Sequence, residues 1–148
     1  MGLNYKLSIL DKCPRAEGIS AEQSFKNALQ IAQTAEALGF YRYWVAEHHS
    51  TALLSSPSPE ILIAWLLAQT KSIRIGSGGV MLQHYSPYKV AENFNVLAGL
   101  AHNRVDLGVG KAPGGFPVST QALQLGLDQK QKGNFKTQLQ ALDHYLNA

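Results

Sequence analysis

The chain has 148 residues, 45% of them hydrophobic and 16% charged, which is enough apolar material for one core and no more. Its formal charge of +3 comes from lysines and arginines scattered along the sequence, with no basic run and no aromatic-interleaved basic patch, so a nucleic-acid partner is not expected. The single cysteine, Cys13, excludes an internal disulfide and fits a reducing compartment. No apolar run reaches membrane-spanning length, and the start Met1-Gly2-Leu3-Asn4-Tyr5-Lys6 has neither a signal core nor a myristoylation pattern, so a single cytoplasmic domain over residues 1–148 with no membrane partner is expected.

Periodicity predicts a strand over Lys6 to Leu10, then a helix over Ser20 to Leu38 with Phe25, Leu29, Ala32 and Ala35 on one face. Ser20 with Gln23 reads as a capping box, and Gly39 as the left-handed stop. Tyr43 to Ala46 is a second strand. Ser58-Pro59 then opens an apolar helix from Glu60 to Thr70 with Pro59 in its first turn, where Trp65 is expected to pack. Ile73 to Ser77 is a third strand, followed by a loop rich in special residues and a helix from Pro87 to Leu100 that turns Val90, Phe94 and Leu97 inward. Arg104 to Val109 is a fourth strand. The sequence then becomes polar until Phe135, Leu139, Leu142 and Leu146 mark a last amphipathic helix.

Four strands alternating with four helical stretches imply an α/β fold with a parallel sheet. Length alone favours a small doubly wound sheet, because an eight-unit barrel typically needs about 250 residues.

The segment Tyr43-Trp44-Val45-Ala46-Glu47-His48-His49 ends an apolar strand in a carboxylate and two imidazoles, and ligands meet parallel sheets at the C-terminal ends of strands. A single loop histidine is most often solvated or hydrogen-bonded. Three such residues together after a strand fit proton chemistry near neutral pH, with Glu47 available to fix an imidazole's tautomer. No metal is expected: side chains of adjacent residues splay apart, and the chain has no Glu-x-x-His pair and no cysteine cluster.

Ser77-Gly78-Gly79 stands where the third strand meets its loop, and Gly108, Gly110, Gly114 and Gly115 repeat the theme after the fourth. Either these glycines make bulges and turns, or a planar ligand lies against a backbone without β-carbons. No phosphate fingerprint is present, since Pro113 interrupts the dinucleotide spacing. Lys111 is placed to meet an anion or simply to be solvated.

Three blocks, Tyr43 to His49, Arg74 to Leu82 and Arg104 to Gly114, resemble in order and spacing the luciferase-like flavin-dependent monooxygenases. The likeness runs from Leu7 through the last helix and corresponds to the N-terminal half of a family member. It implies that residues 1–148 are the first four βα units of a TIM (β/α)8 barrel, and so an incomplete barrel, which overrides the doubly wound alternative. It further implies an oxidoreductase in which reduced flavin mononucleotide (FMN) and oxygen act on a small organic substrate. NADH or NADPH would serve indirectly through a flavin reductase; a deazaflavin is the cofactor alternative.

By the same resemblance His48 supports the proton chemistry, with Glu47 and His49 completing the catalytic motif. Ser77, Gly78 and Gly79 pack under the flavin ring across a cis Gly78–Gly79 bond, and Lys111 reaches the phosphate. Lys111 replaces a usual arginine and so loses the bidentate fork. Gln83 replaces a common proline, and Gln124-Leu125 a pair of arginines. A half-barrel exposes sheet edges and interior, so a homodimer or pairing with a second half-barrel is expected. The alternative from another class is a noncatalytic flavin-binding or dimerisation module.

Overall fold

The computed structural model describes residues 5–148, and the part of the amino-terminal reading that concerns residues 1–4 lies outside the described residues. Four strands, β1 (Ser8–Asp11), β2 (Arg42–Val45), β3 (Arg74–Met81) and β4 (Val105–Gly110), form one parallel sheet in the order β1-β2-β3-β4. Between them run α1 (Ala21–Ala37), α2 (Pro59–Gln69) and α3 (Pro87–Leu100). The strand order never reverses, whereas a doubly wound sheet has a point of reversal. With right-handed crossovers this order puts every helix on one side, as in a barrel segment. The preference drawn from length alone is therefore corrected, and the architecture is that of four consecutive βα units. No helix among the described residues is long and apolar enough to cross a membrane.

Strand alternation divides the sheet into two faces. Tyr43, Val45 and Ile75 are fully buried toward the helices, where they meet Ile63, Leu66, Val90, Phe94 and Leu97. Each such side chain contributes roughly 1.5–3 kcal/mol by leaving water. The other face carries Leu10, Trp44, Gly76, Gly78 and Gly108 together with Arg42, Arg74 and Asp106. Among the described residues no helix covers it, and Leu10 is 55% exposed there.

Several local expectations shift by a residue or two. α1 turns Ser24, Ala28, Ala32 and Ala35 fully inward, with Phe25 and Leu29 only half-buried at its flank. The small residues let α1 bring the Ala28 carbonyl within 3.2 Å of the Tyr43 hydroxyl, which donates its hydrogen mainly to the Asp11 carboxylate. Ser20 Oγ accepts from the Gln23 amide at 3.1 Å, but the Gln23 side chain turns to Asn27, so only half of the capping box forms. Trp65, expected to pack, is 37% exposed and lines an apolar groove with Phe25, Ile61 and Leu62.

β3 runs four residues beyond its expected end, because a register shift between Ser77 and Val80 absorbs Gly78 and Gly79 as a bulge against β4. After β4, two short helices, α4 (Pro117–Leu123) and α5 (Gln129–Lys132), precede α6 (Phe135–Leu146). Their weak apolar pattern hid the first two. α6 starts at the Asn134 cap and packs on α3.

The C-terminal end of α1 is tied to the start of β3 by Glu36. Its Oε1 accepts the amides of Lys71, Ser72 and Ile73 at 2.8, 2.6 and 2.9 Å. Burial alone would raise this carboxyl, but the backbone donors win and hold it down at about 2.

Candidate functional site

Because β2 and β3 are parallel neighbours, the residues that follow Val45 and the end of β3 emerge side by side at the carboxyl edge of the sheet. There the Glu47 side chain is wholly buried and accepts three hydrogen bonds. His49 Nε2 lies 2.7 Å and Tyr85 Oη 2.8 Å from Oε1, and the Met81 amide lies 2.9 Å from Oε2. An ionised carboxylate only accepts, so the hydrogen of His49 sits on Nε2. Burial, then the Glu47 charge, pushes the Tyr85 hydroxyl well above the usual phenol range and keeps it a donor.

Glu47 thus orients His49, not its immediate neighbour. His48 is anchored by its backbone, whose amide donates to the Ser56 carbonyl at 3.0 Å. Its ring lines a cleft of about 320 Å³ with Thr51, Leu54, Gly114, Gly115 and Phe116. Its Nδ1 is buried and, among the described residues, has no hydrogen-bond partner. Burial first, then the charges of Lys12 and His49, depresses its basicity below the usual imidazole value, against an opposing pull from Glu47.

The floor of this cleft is a loop docked on His49. The His49 amide donates to the Gly114 carbonyl at 2.8 Å, and His49 bridges Gly115 in parallel fashion. A β-carbon on Gly115 would stand 2.5 Å from the His49 carbonyl oxygen, so only glycine allows that approach. Gly114 has φ +65°, the second reason for a glycine pair here. His84 holds the same loop: its Nε2 donates to the Pro113 carbonyl at 2.8 Å, and its Nδ1 accepts from Gln124 at 3.0 Å. The Gln83 side chain donates to the Lys111 carbonyl. Two departures from the family pattern, Gln83 and Gln124, therefore have local partners that fix residues 111–113.

Gly78 and Gly79 lie on the helix-free face in a recess of about 470 Å³, lined also by Leu10, Trp44, Ser77, Met81 and Gly108 to Gly110. The Gly78–Gly79 peptide bond is cis. A β-carbon on Gly78 would come within 2.8 Å of Leu10 Cδ1, and one on Gly79 within 2.8 Å of the Gly108 backbone. The Ser77 hydroxyl donates to the Gly108 carbonyl at 2.7 Å and accepts the Gly108 amide at 3.1 Å, bridging the bulge where ladder bonds are interrupted. The bulge reading of these glycines holds, and the backbone they leave along the recess carries no β-carbons.

The carboxylate and both histidines come together in one cluster, while Ser77, Gly78 and Gly79 line the neighbouring recess. Met81 joins the two, with its amide on Glu47 and its side chain in the recess. Lys111 directly follows Gly110 at the end of the recess, with an exposed side chain. The recess, with its backbone free of β-carbons, suits a planar cofactor. No group of three or more metal-binding side chains occurs among the described residues. Sequence reasoning missed Met81, His84 and Tyr85. The adjacency of two consecutive parallel strands was the signal that could have placed them.

Comparison with known proteins agrees with this geometry. The profile of the luciferase-like monooxygenases matches residues 6–148. The chain is 49% identical over 141 residues to the N-acetyl-S-alkylcysteine monooxygenase of Bacillus subtilis, covering 95% of this chain and 42% of that protein. The structure of apo-MsnO8 superposes with a TM-score of 0.87 at 41% identity, covering 96% of this chain and 42% of that one. The oxygenating constituent of 3,6-diketocamphane monooxygenase from Pseudomonas putida, in complex with FMN, shares the fold with a TM-score of 0.77 at 24% identity, over 95% of this chain and 38% of that one. The chain spans less than half the length of these relatives, and it belongs to the luciferase-like monooxygenase family.

Proposed function

We propose that this chain is the flavin-binding N-terminal half of a monooxygenase that uses reduced FMN and oxygen on a small organic substrate. The carrying observation is the recess over Gly78 and Gly79, joined through Met81 to the Glu47–His49 pair and lying beside a cleft where His48 keeps an unpartnered buried nitrogen. Family membership and the FMN bound in an enzyme of this fold support the same reading.

In this proposal Gly78 and Gly79 offer backbone to one face of the ring, and Ser77 holds that backbone flat by bonding across the bulge. Lys111 supplies charge for the phosphate. His48, with its lowered basicity, is mainly neutral near pH 7, so its ring, which lines the cleft, can accept a proton. His49, fixed by Glu47, shapes the wall of the cleft. Bound reduced flavin supplies the electrons for activating oxygen, and NADH or NADPH with a separate reductase keeps it reduced. Closing the site needs the other half of the barrel, and the free Cys13 thiol and the lack of a membrane-crossing helix among the described residues suit the cytoplasm.

The test is titration of the purified chain with FMN, followed by flavin fluorescence, on wild type, His48→Ala and Lys111→Gln. Saturable binding weakened by both substitutions supports the reading. Binding of a deazaflavin in preference to FMN moves the reaction to hydride transfer without oxygen. Absence of saturable binding of either cofactor means that this half does not hold the flavin by itself and that the chemistry belongs to a longer protein.

A further inference from the structure

We infer that the helix-free face of the sheet is closed by a complementary half-barrel that brings a carboxylate to Arg42, and not by a second copy of this chain. The inference rests on the incomplete-barrel reading and adds the chemistry of the missing surface.

At the amino-terminal end of that face one carboxylate serves two guanidinium groups. Asp106 Oδ2 lies 2.8 Å from Arg42 Nε and 2.8 Å from Arg74 Nε, and Arg74 Nη2 reaches Oδ1 at 2.7 Å. Strand register sets this cluster, because Arg42 pairs with Arg74 in β2 and β3, and Gly76 beside Arg74 pairs with Asp106 in β4. Arg74 is well partnered: it also donates to the carbonyls of Asn103 and Val105, so all three of its guanidinium nitrogens have acceptors. Arg42 is not. Apart from a marginal 3.5 Å contact of its Nη2 with Asp106, its terminal nitrogens meet no acceptor among the described residues, and its guanidinium lies over the rings of Tyr41 and Trp44.

The cluster therefore carries one positive charge in excess. The side chains are now partly open to water, with 29% of Arg42, 28% of Arg74 and 15% of Asp106 exposed. In a closed barrel this face becomes a packed interior, where a charge is tolerated only when paired and hydrogen-bonded. All strands of such a barrel run parallel, so a second copy closing it would put its own Arg42–Asp106–Arg74 cluster at the same level and double the excess. A complement that offers one carboxylate there neutralises it and fills the empty donor positions of Arg42. Glu36 cannot take that role from within the chain, since three backbone amides already hold it.

Trp44 lies on this face, and a Trp65→Phe background leaves it as the only tryptophan. The experiment uses that chain alone and co-expressed with the remainder of the Bacillus subtilis N-acetyl-S-alkylcysteine monooxygenase outside the matched region. The expected result is a one-to-one complex that shifts Trp44 emission, bound at least tenfold more weakly by Arg42→Gln and by less than that for Arg42→Lys. Alone, the chain should show a Trp44 emission independent of concentration. Circular dichroism of each variant verifies that the sheet still folds. Three results overturn the inference: self-association that shifts Trp44, a complex indifferent to Arg42→Gln, or no complex on co-expression. A complex that forms as expected yet binds no flavin supports this inference while removing the cofactor reading, so the two fail separately.

Discussion

Glu47 Oε1 stands 2.7 Å from His49 Nε2 and 2.8 Å from the Tyr85 hydroxyl, so one buried oxygen ties the loop after β2 to the segment after β3. Tyr85→Phe removes one donor and little volume. A hydrogen bond to a charged group contributes about 1.5–3 kcal/mol, and a loss of that size is expected in urea unfolding as a lower midpoint at unchanged slope. An unaltered midpoint would show that Tyr85 does not hold Glu47 in solution.

Glycine substitutions should divide sharply by surroundings. Gly115→Ala drives a β-carbon to 2.5 Å from the His49 carbonyl oxygen, and overpacking of that kind costs about 1–3 kcal/mol. Gly99 sits in α3 with nothing within 4 Å of a β-carbon, so Gly99→Ala should stabilise by up to about 1 kcal/mol. Thermal melts of the two variants should move in opposite directions.

His48 should titrate below the usual imidazole midpoint of 6.5, read from its ring carbon-bound proton by NMR. Burial is the main cause, and Lys12 adds to it, so Lys12→Gln should move the midpoint upward by part of the shift. A folded value below the unfolded one means that the unfolded chain binds the proton more readily. This group therefore leaves stability unchanged above pH 6.5 and lowers it as pH falls from 6.5 to the folded midpoint. A midpoint at or above 6.5 would contradict the burial of the ring.

Glu36 has the opposite consequence for acid stability. Its folded value of about 2 lies below the ordinary 4.5, so its stabilising contribution is complete above pH 4.5 and disappears as pH falls toward 2. Glu36→Gln should flatten the pH dependence of the urea midpoint in that window. A variant with the wild-type acid profile would mean that the three amides of residues 71–73 are not held by this carboxylate.

Much of the fold was legible because its causes are local. The Ser20 cap, the Gly39 stop with φ +75° and the prolines opening α2 and α3 each act within a few residues, and they placed helices that the structure reproduces. Helix faces were less legible: α1 approaches the sheet through alanines, so the smaller side chains, not Phe25 and Leu29, face fully inward. α2 is apolar nearly all round, so periodicity could not tell that Ile61 and Trp65 point outward. At the site, Glu47, His48 and His49 stood out as a cluster, but adjacency in sequence could not say which imidazole the carboxylate takes.

The sequence by itself determined the alternation of strands and helices, the ends of the main helices, the family and the residues that gather at the carboxyl edge of β2. These follow from side-chain period and capping chemistry, and from motifs read in order. The tertiary structure decided that Glu47 holds His49 and leaves His48 free, that Ser77 bridges to Gly108, and that Asp106 is shared between Arg42, 64 residues away, and Arg74, 32 residues away. The last two depend on the register of parallel strands joined by long crossovers. Register is set by packing of the whole sheet against its helices, which no local stretch of sequence contains.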